Sequence, residues 1–314
     1  MQVAYYSCLR FRFGQLCRTV ENFFCEKIWK VRENVVILWA RKEDIIMNLR
    51  RFYEMEDEVR QSIESTLNVI EQKHFSNYVL LLAHADYAHN IYCYGCNVNI
   101  IREENHILLV RDYLNYYVSL LHNPVAQSEF EYTIQMMIYC HLWESNYFLK
   151  FIKRMAYIVR GKKYLWNIRL DHTVSRQNII NQSKEHLFKN KSQIANLIEK
   201  SYCADLRNSF AHMSYKFELK NSRIVLYEDD SLAYKQILSI EEWEERFVYS
   251  LLLTFYLFNS IDYRKNTFMD KYPDVEKILV DVPADQRGKY NKKYVYPRRK
   301  GEKQVEFYCI PPDE

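Results

Sequence analysis

Apolar residues recur at helical spacing along most of this chain. From Asn48 onward, alternating charges interleave with Ile63, Leu67 and Ile70, which predicts a helix over 48–72. Similar patterns predict helices over 76–92 and 103–121. The latter stops before Asn123-Pro124, because the residue ahead of a proline is pushed out of helical geometry. Ser128 followed by Glu131 reads as a capped helix start, and Gly161 marks the end of that helix after Arg160. Further helices are predicted over 174–189 and 192–213. The period then changes. Lys216-Phe217-Glu218-Leu219, a turn at Lys220-Asn221-Ser222, and Arg223-Ile224-Val225-Leu226-Tyr227 read as a short β-hairpin. Ser239, with Glu242 three residues on, caps a last long helix to about Tyr263.

The two ends are less regular. Residues 1–46 scatter aromatics, arginines and Cys8, Cys17 and Cys25, with helical character over 21–41 alone. Met47 opens the first clear pattern, which leaves a second start there open. From Lys265 onward the chain carries Pro273, Pro283, Pro297, Pro311 and Pro312. The expected organisation is a helical N-terminal region over 1–127, a helical domain over 128–264 with its hairpin, and a basic, proline-containing tail over 265–314.

Composition agrees with a mainly α fold. Only 5 Gly and 6 Pro in 314 residues leave few tight turns, too few for a many-stranded sheet. The longest uncharged apolar stretch, 247–258, is short of a membrane span and reads as a buried core helix. With no charged-then-apolar leader, the expected compartment is the cytoplasm and no membrane partner is expected. The 8 cysteines are then expected as reduced thiols. Cys93-x2-Cys96, preceded by His84 and His89, could supply four zinc ligands, but the histidine spacing is irregular, and no metal or other cofactor is expected. A net charge of +4 permits a nucleic-acid ligand without demanding one.

The chemistry concentrates in Asp205-Leu206-Arg207-Asn208-Ser209-Phe210-Ala211-His212. Arg207 and His212 alone are a weak signal, since this spacing arises by chance. Their context is more specific: Asn208 follows the arginine, the pair sits late in a helix, and a hairpin and a long helix come next. This order resembles the HEPN superfamily, whose members carry Arg-x4-6-His with a polar residue after the arginine. The resemblance covers about 128–264 and includes Trp143-Glu144-Ser145-Asn146 and Gly161-Lys162-Lys163-Tyr164-Leu165-Trp166. It implies a HEPN-like helical bundle and a metal-independent RNA endonuclease that leaves 2′,3′-cyclic phosphate ends. It further implies a toxin or antiphage role, a homodimer with a composite active site, and an antitoxin or regulatory partner. The alternative is a non-catalytic HEPN module that binds nucleic acid, nucleotide or a partner protein.

The residue types suit that reaction. A histidine can move protons near neutrality, and an arginine offers a charged fork to phosphate oxygens. Five positions on an ideal helix turn through about 140°, so Arg207 and His212 do not share a narrow face. A two-fold axis would let each meet the other copy's partner. The plainer reading is a surface arginine and a histidine at the helix C-terminus. Asp205 could orient His212 or Arg207, or be solvated. Asn208 could bind the scissile region or serve the bundle. Glu144 and Asn146 could face the motif helix or be ordinary polar positions. In some family members the motif is Arg-x4-His-x-Tyr and the tyrosine is a modification site for a nucleotidyltransferase. Tyr215 stands one residue further along, which argues against that role. In the tail, Arg287, Lys289, Lys292, Lys293, Arg298, Arg299 and Lys300 interleave with Tyr290, Tyr294 and Tyr296, a pattern suited to RNA or to a solvated tail.

Overall fold

Two long helices organise the core. Helix α1 (Leu49–Lys73) starts at Asn48, whose side chain accepts from the Arg51 N–H at 2.9 Å. Its buried stripe is Phe52, Met55, Val59, Ile63, Leu67 and Ile70, at spacings of three or four. The long helix over Ile240–Asn266, labelled α9 below, begins at the Ser239–Glu242 capping box. Its middle is buried all round, from Phe247 through Leu253, so it is the central helix against which the others pack.

The computed structural model describes residues 48–84, 100–122, 128–166, 168, 170, 175–228, 233–283, 290–301 and 304–308. Between the two long helices run α2 (Phe75–Leu82), α3 (Ile100–His122), α4 (Glu129–Glu144), α5 (Asn146–Val159), α6 (Arg176–Lys189), α7 (Ile194–Ser201) and α8 (Ala204–Ala211). Then come β1 (Tyr215–Glu218), β2 (Arg223–Tyr227) and β3 (Tyr234–Ser239), then α9, the short α10 (Phe268–Lys271), and β4 (Ile278–Pro283), β5 (Tyr290–Lys300) and β6 (Gln304–Tyr308). The fold is mainly helical, with two antiparallel sheets in the orders β1-β2-β3 and β4-β5-β6. One hydrophobic core joins residues from Phe52 in α1 to Phe307 in β6.

Three expectations are corrected. The single helix over 128–160 is two helices, because Ser145 leaves helical geometry and caps α5, its Oγ accepting from the Phe148 N–H at 3.4 Å. The single helix over 192–213 is also two. At the break, the fully buried Tyr139 hydroxyl of α4 accepts the Cys203 N–H at 2.8 Å and donates to the Ser201 carbonyl at 3.1 Å. A side chain from elsewhere thus satisfies the backbone groups that the break frees. The hairpin pairs as read, Phe217 opposite Ile224, but a third strand, β3, lies along the other side of β2.

The C-terminal segment carries a sheet that the sequence reading did not include. Ile278, Val280 and Val282 of β4, Val295 of β5, and Val305 and Phe307 of β6 point inward. The Trp166 indole N–H donates to the Asp281 carbonyl at 2.9 Å, and Phe268 meets Phe307 with ring centres 5.1 Å apart. No helix among the described residues is long and apolar enough to cross a membrane.

Candidate active site

Helix α8 carries the Arg207–His212 motif and is fixed at both ends. Its start is set by the Tyr139 plug described above. Leu206 and Ser209 face the core. At its end His212 is the last capped residue, and Met213 takes a left-handed backbone with φ 58°. The Ser214 N–H bonds the Ser209 carbonyl at 2.8 Å and the Met213 N–H bonds the Phe210 carbonyl at 3.2 Å. That is the Schellman closure, here built on methionine where glycine is the usual occupant. Tyr215 packs its ring 5.4 Å from Phe210 and 5.4 Å from Phe217, so it holds the helix end onto β1.

Arg207 points toward α4 and α6. Its Nη1 lies 2.8 Å from Glu144 Oε1, and Arg176 Nε lies 3.2 Å from the other Glu144 oxygen. One carboxylate thus sits between two guanidinium groups, and the three together carry a net +1. Glu144 is the last residue of α4, and Arg176 is the first residue of α6. Burial raises the pKa of the neighbouring Tyr202 phenol, with the Arg207 charge opposing it. Burial also pushes the Cys140 thiol up to about 12, which leaves it a poor nucleophile near neutral pH.

The remaining motif positions are distributed differently. His212 is exposed and Asn208 half-buried, and among the described residues neither side chain has a hydrogen-bond partner. Asp205 turns to neither Arg207 nor His212. It pairs with Lys235 of β3 at 2.8 Å, which ties the start of α8 to the sheet edge. Asn146 is exposed at the start of α5. The structure therefore brings Glu144 to Arg207, adds Arg176 and leaves His212 at the open end of the helix. Arg176 was not anticipated, because nothing in the sequence links a residue at 176 to one at 144.

The basic C-terminal residues separate into two faces. Lys292, Arg298 and Lys300 lie on the outer face of β5, while Lys293 and Arg299 alternate onto the side of Val295 and Pro297. Arg299 pairs with Asp270 of α10. Arg287 and Lys289 lie outside the described residues.

Of the four zinc candidates only His84 lies among the described residues. His84 is buried, and its Nδ1 shares a 2.8 Å hydrogen bond with the Tyr164 hydroxyl. Burial holds its pKa well below the ordinary value, with Arg154 and Lys150 adding to the effect. Cys93, Cys96 and His89 lie outside the described residues. Among the described residues no group of three His, Cys, Asp or Glu side chains is arranged to hold a metal ion. No family model, curated protein or solved structure matches the chain.

Proposed function

We propose that this chain is a metal-independent RNA endonuclease of HEPN type, with Arg207 and His212 as its reacting pair. The observation that carries the reading is the state of the motif at the end of α8. A solvent-facing imidazole caps the short helix that carries the Asn208 amide, which has no partner among the described residues, and an arginine whose ion-pair cluster keeps a net positive charge. His212 accepts the 2′-hydroxyl proton while the 2′-oxygen attacks the adjacent phosphorus. Arg207 neutralises the crowded phosphorane, and a protonated imidazole returns a proton to the departing 5′-oxygen. The bond to the 5′-oxygen breaks, which leaves a 2′,3′-cyclic phosphate and a 5′-hydroxyl.

In one copy Arg207 turns to Glu144 while His212 lies beyond the helix end, and no bond among the described residues joins them. The reading therefore places the working pair across a two-fold axis, His212 of one copy facing Arg207 of the other. A toxin or antiphage effector acting in the cytoplasm, held silent by an antitoxin or regulatory partner, is the role that the resemblance to HEPN proteins implies.

The test is incubation of purified protein with single-stranded RNA in EDTA, followed by mapping of the ends. Wild type should leave cyclic phosphates, and Arg207→Ala and His212→Ala should each abolish cutting. Full activity in either variant overturns the assignment. One observation favours a second reading, a binding module without catalysis: Arg207 is already committed to a carboxylate at 2.8 Å. Wild type that binds RNA and leaves it uncut, with or without divalent ions, would select that reading.

A further inference from the structure

The outer face of the β4-β5-β6 sheet differs in chemistry from the rest of the surface. Strand alternation places Lys292, Tyr294, Tyr296, Arg298 and Lys300 side by side along β5, with Tyr308 of β6 directly opposite Tyr296. Tyr294 keeps 44% of its surface exposed although it lies mid-strand. Three rings on this side have a cation at hand. Lys277 Nζ lies 4.7 Å from the Tyr294 ring centre, the Arg298 guanidinium lies 4.9 Å from that of Tyr308, and Lys163 Nζ lies 4.7 Å from that of Tyr290.

Charge on this face is unbalanced. Lys163, Lys277, Lys292, Arg298 and Lys300 are five cations, against two carboxylates, Asp281 and Glu306. Those two carboxylates take Lys163 and Lys292, and Lys300, as ion-pair partners. A face meant only for water has no need of four tyrosines, and a face meant for an apolar partner has no need of an excess of cations. Rings for π-stacking beside cations for phosphates suit a strand of unpaired nucleotides. In a duplex the bases already stack on each other and are closed to the rings. Same-side residues repeat about every 7 Å along the strand and lie about 5 Å apart across it, which spaces the rings for separate bases.

We propose that this face is a binding platform for single-stranded RNA, placed on a different part of the fold from the Arg207–His212 motif. The choice of RNA as occupant rests on the endonuclease reading above. The platform holds a substrate that a two-residue active site could not retain alone.

The experiment uses the full chain carrying Arg207→Ala, so that nothing is cut, and fluorescein-labelled 20-mer oligouridine read by anisotropy over a salt series. An RNA duplex of equal length is the comparison. The parent should bind the single strand more tightly than the duplex. Tyr294→Ala, an exposed position, should weaken single-strand binding about tenfold, within the range that one lost base–ring stack costs. Lys292→Ala with Lys300→Ala should weaken it further and lower the logarithmic salt slope by about 1.4, at ~0.7 for each lost phosphate contact. Unchanged affinity in both the tyrosine and the lysine variants overturns the platform. So does duplex bound as tightly as single strand, or no oligouridine binding by the parent, which would leave the face to an acidic protein segment. Cleavage assays with Arg207 restored separate this proposal from the one it rests on. An RNA-cutting chain indifferent to the sheet variants refutes the platform alone. A chain that binds oligouridine through the sheet and cuts nothing refutes the endonuclease alone.

Discussion

Replacing Arg207 by lysine keeps the positive charge and removes the planar fork, and the structure sets what each should do. The Arg207–Glu144 pair is partly exposed, with side chains 20% and 36% accessible, so solvent screening limits its worth to about 1 kcal/mol or less. A lysine can still reach Glu144, and the melting temperature should fall by no more than ~2–4 °C. Cleavage should suffer far more. With one nitrogen on Glu144, the guanidinium still has other donors for two phosphate oxygens at once. A single ammonium supplies only one such bond in that geometry, and a charge-assisted hydrogen bond contributes roughly 1.5–3 kcal/mol. Single-turnover cleavage of RNA by Arg207→Lys should therefore slow by about 10- to 150-fold, with the melt recorded on the same sample. A folded lysine variant that cuts within twofold of wild type would show that the fork is not used and that Arg207 acts, if at all, as a diffuse charge.

Three further outcomes follow from packing elsewhere in the fold and at the end of α8. Glu71, 6% exposed, takes bonds from Lys271, Tyr272 and Arg264; burial alone would raise its pKa, but these partners outweigh that and lower it. Glu71→Gln should cost about 3–5 kcal/mol and roughly 10 °C at pH 7. The cost should shrink as pH falls below ~4.3 through the lowered folded value, and thermal melts showing the same gap at pH 7 and pH 3 would contradict this. His84 is depressed by burial, so its stabilisation is complete above the unfolded value near ~6.5 and is lost as pH falls below it. Urea titrations of wild type should slope by up to ~1.4 kcal/mol per pH unit there, and His84→Phe should lack that component; equal slopes would rule it out. Met213→Gly should relieve the left-handed backbone and raise stability by about 0.5 kcal/mol, whereas Met213→Val should lower it by more than ~1 kcal/mol. The reverse order in calorimetry would mean that this turn is not the rigid closure described.

What the sequence displayed and what it hid divide along one physical line, between local signals and distant ones. Both capping boxes, Ser128 with Glu131 and Ser239 with Glu242, are made within four residues and are present in the structure. The glycine end at Gly161, with φ 68°, is equally local. The break at Tyr202–Cys203 is not, because it exists through Tyr139, more than sixty residues earlier. The alternation of Ile278, Val280 and Val282 was present as a strand signal, but prolines and lysines on either side gave that region the look of a tail. The candidate site divides in the same way. The types of Arg207, Asn208 and His212 and their order were legible, while their partners were not. Asp205 went to Lys235, and Glu144, one of two polar positions considered for the motif helix, is the one that reaches Arg207. In the proposed reaction Arg176 is a supporting charge, since without it Glu144 would cancel Arg207 and leave no net charge for a phosphate. With it the cluster keeps +1, and an arriving phosphate can compete for donors that the carboxylate holds only in part.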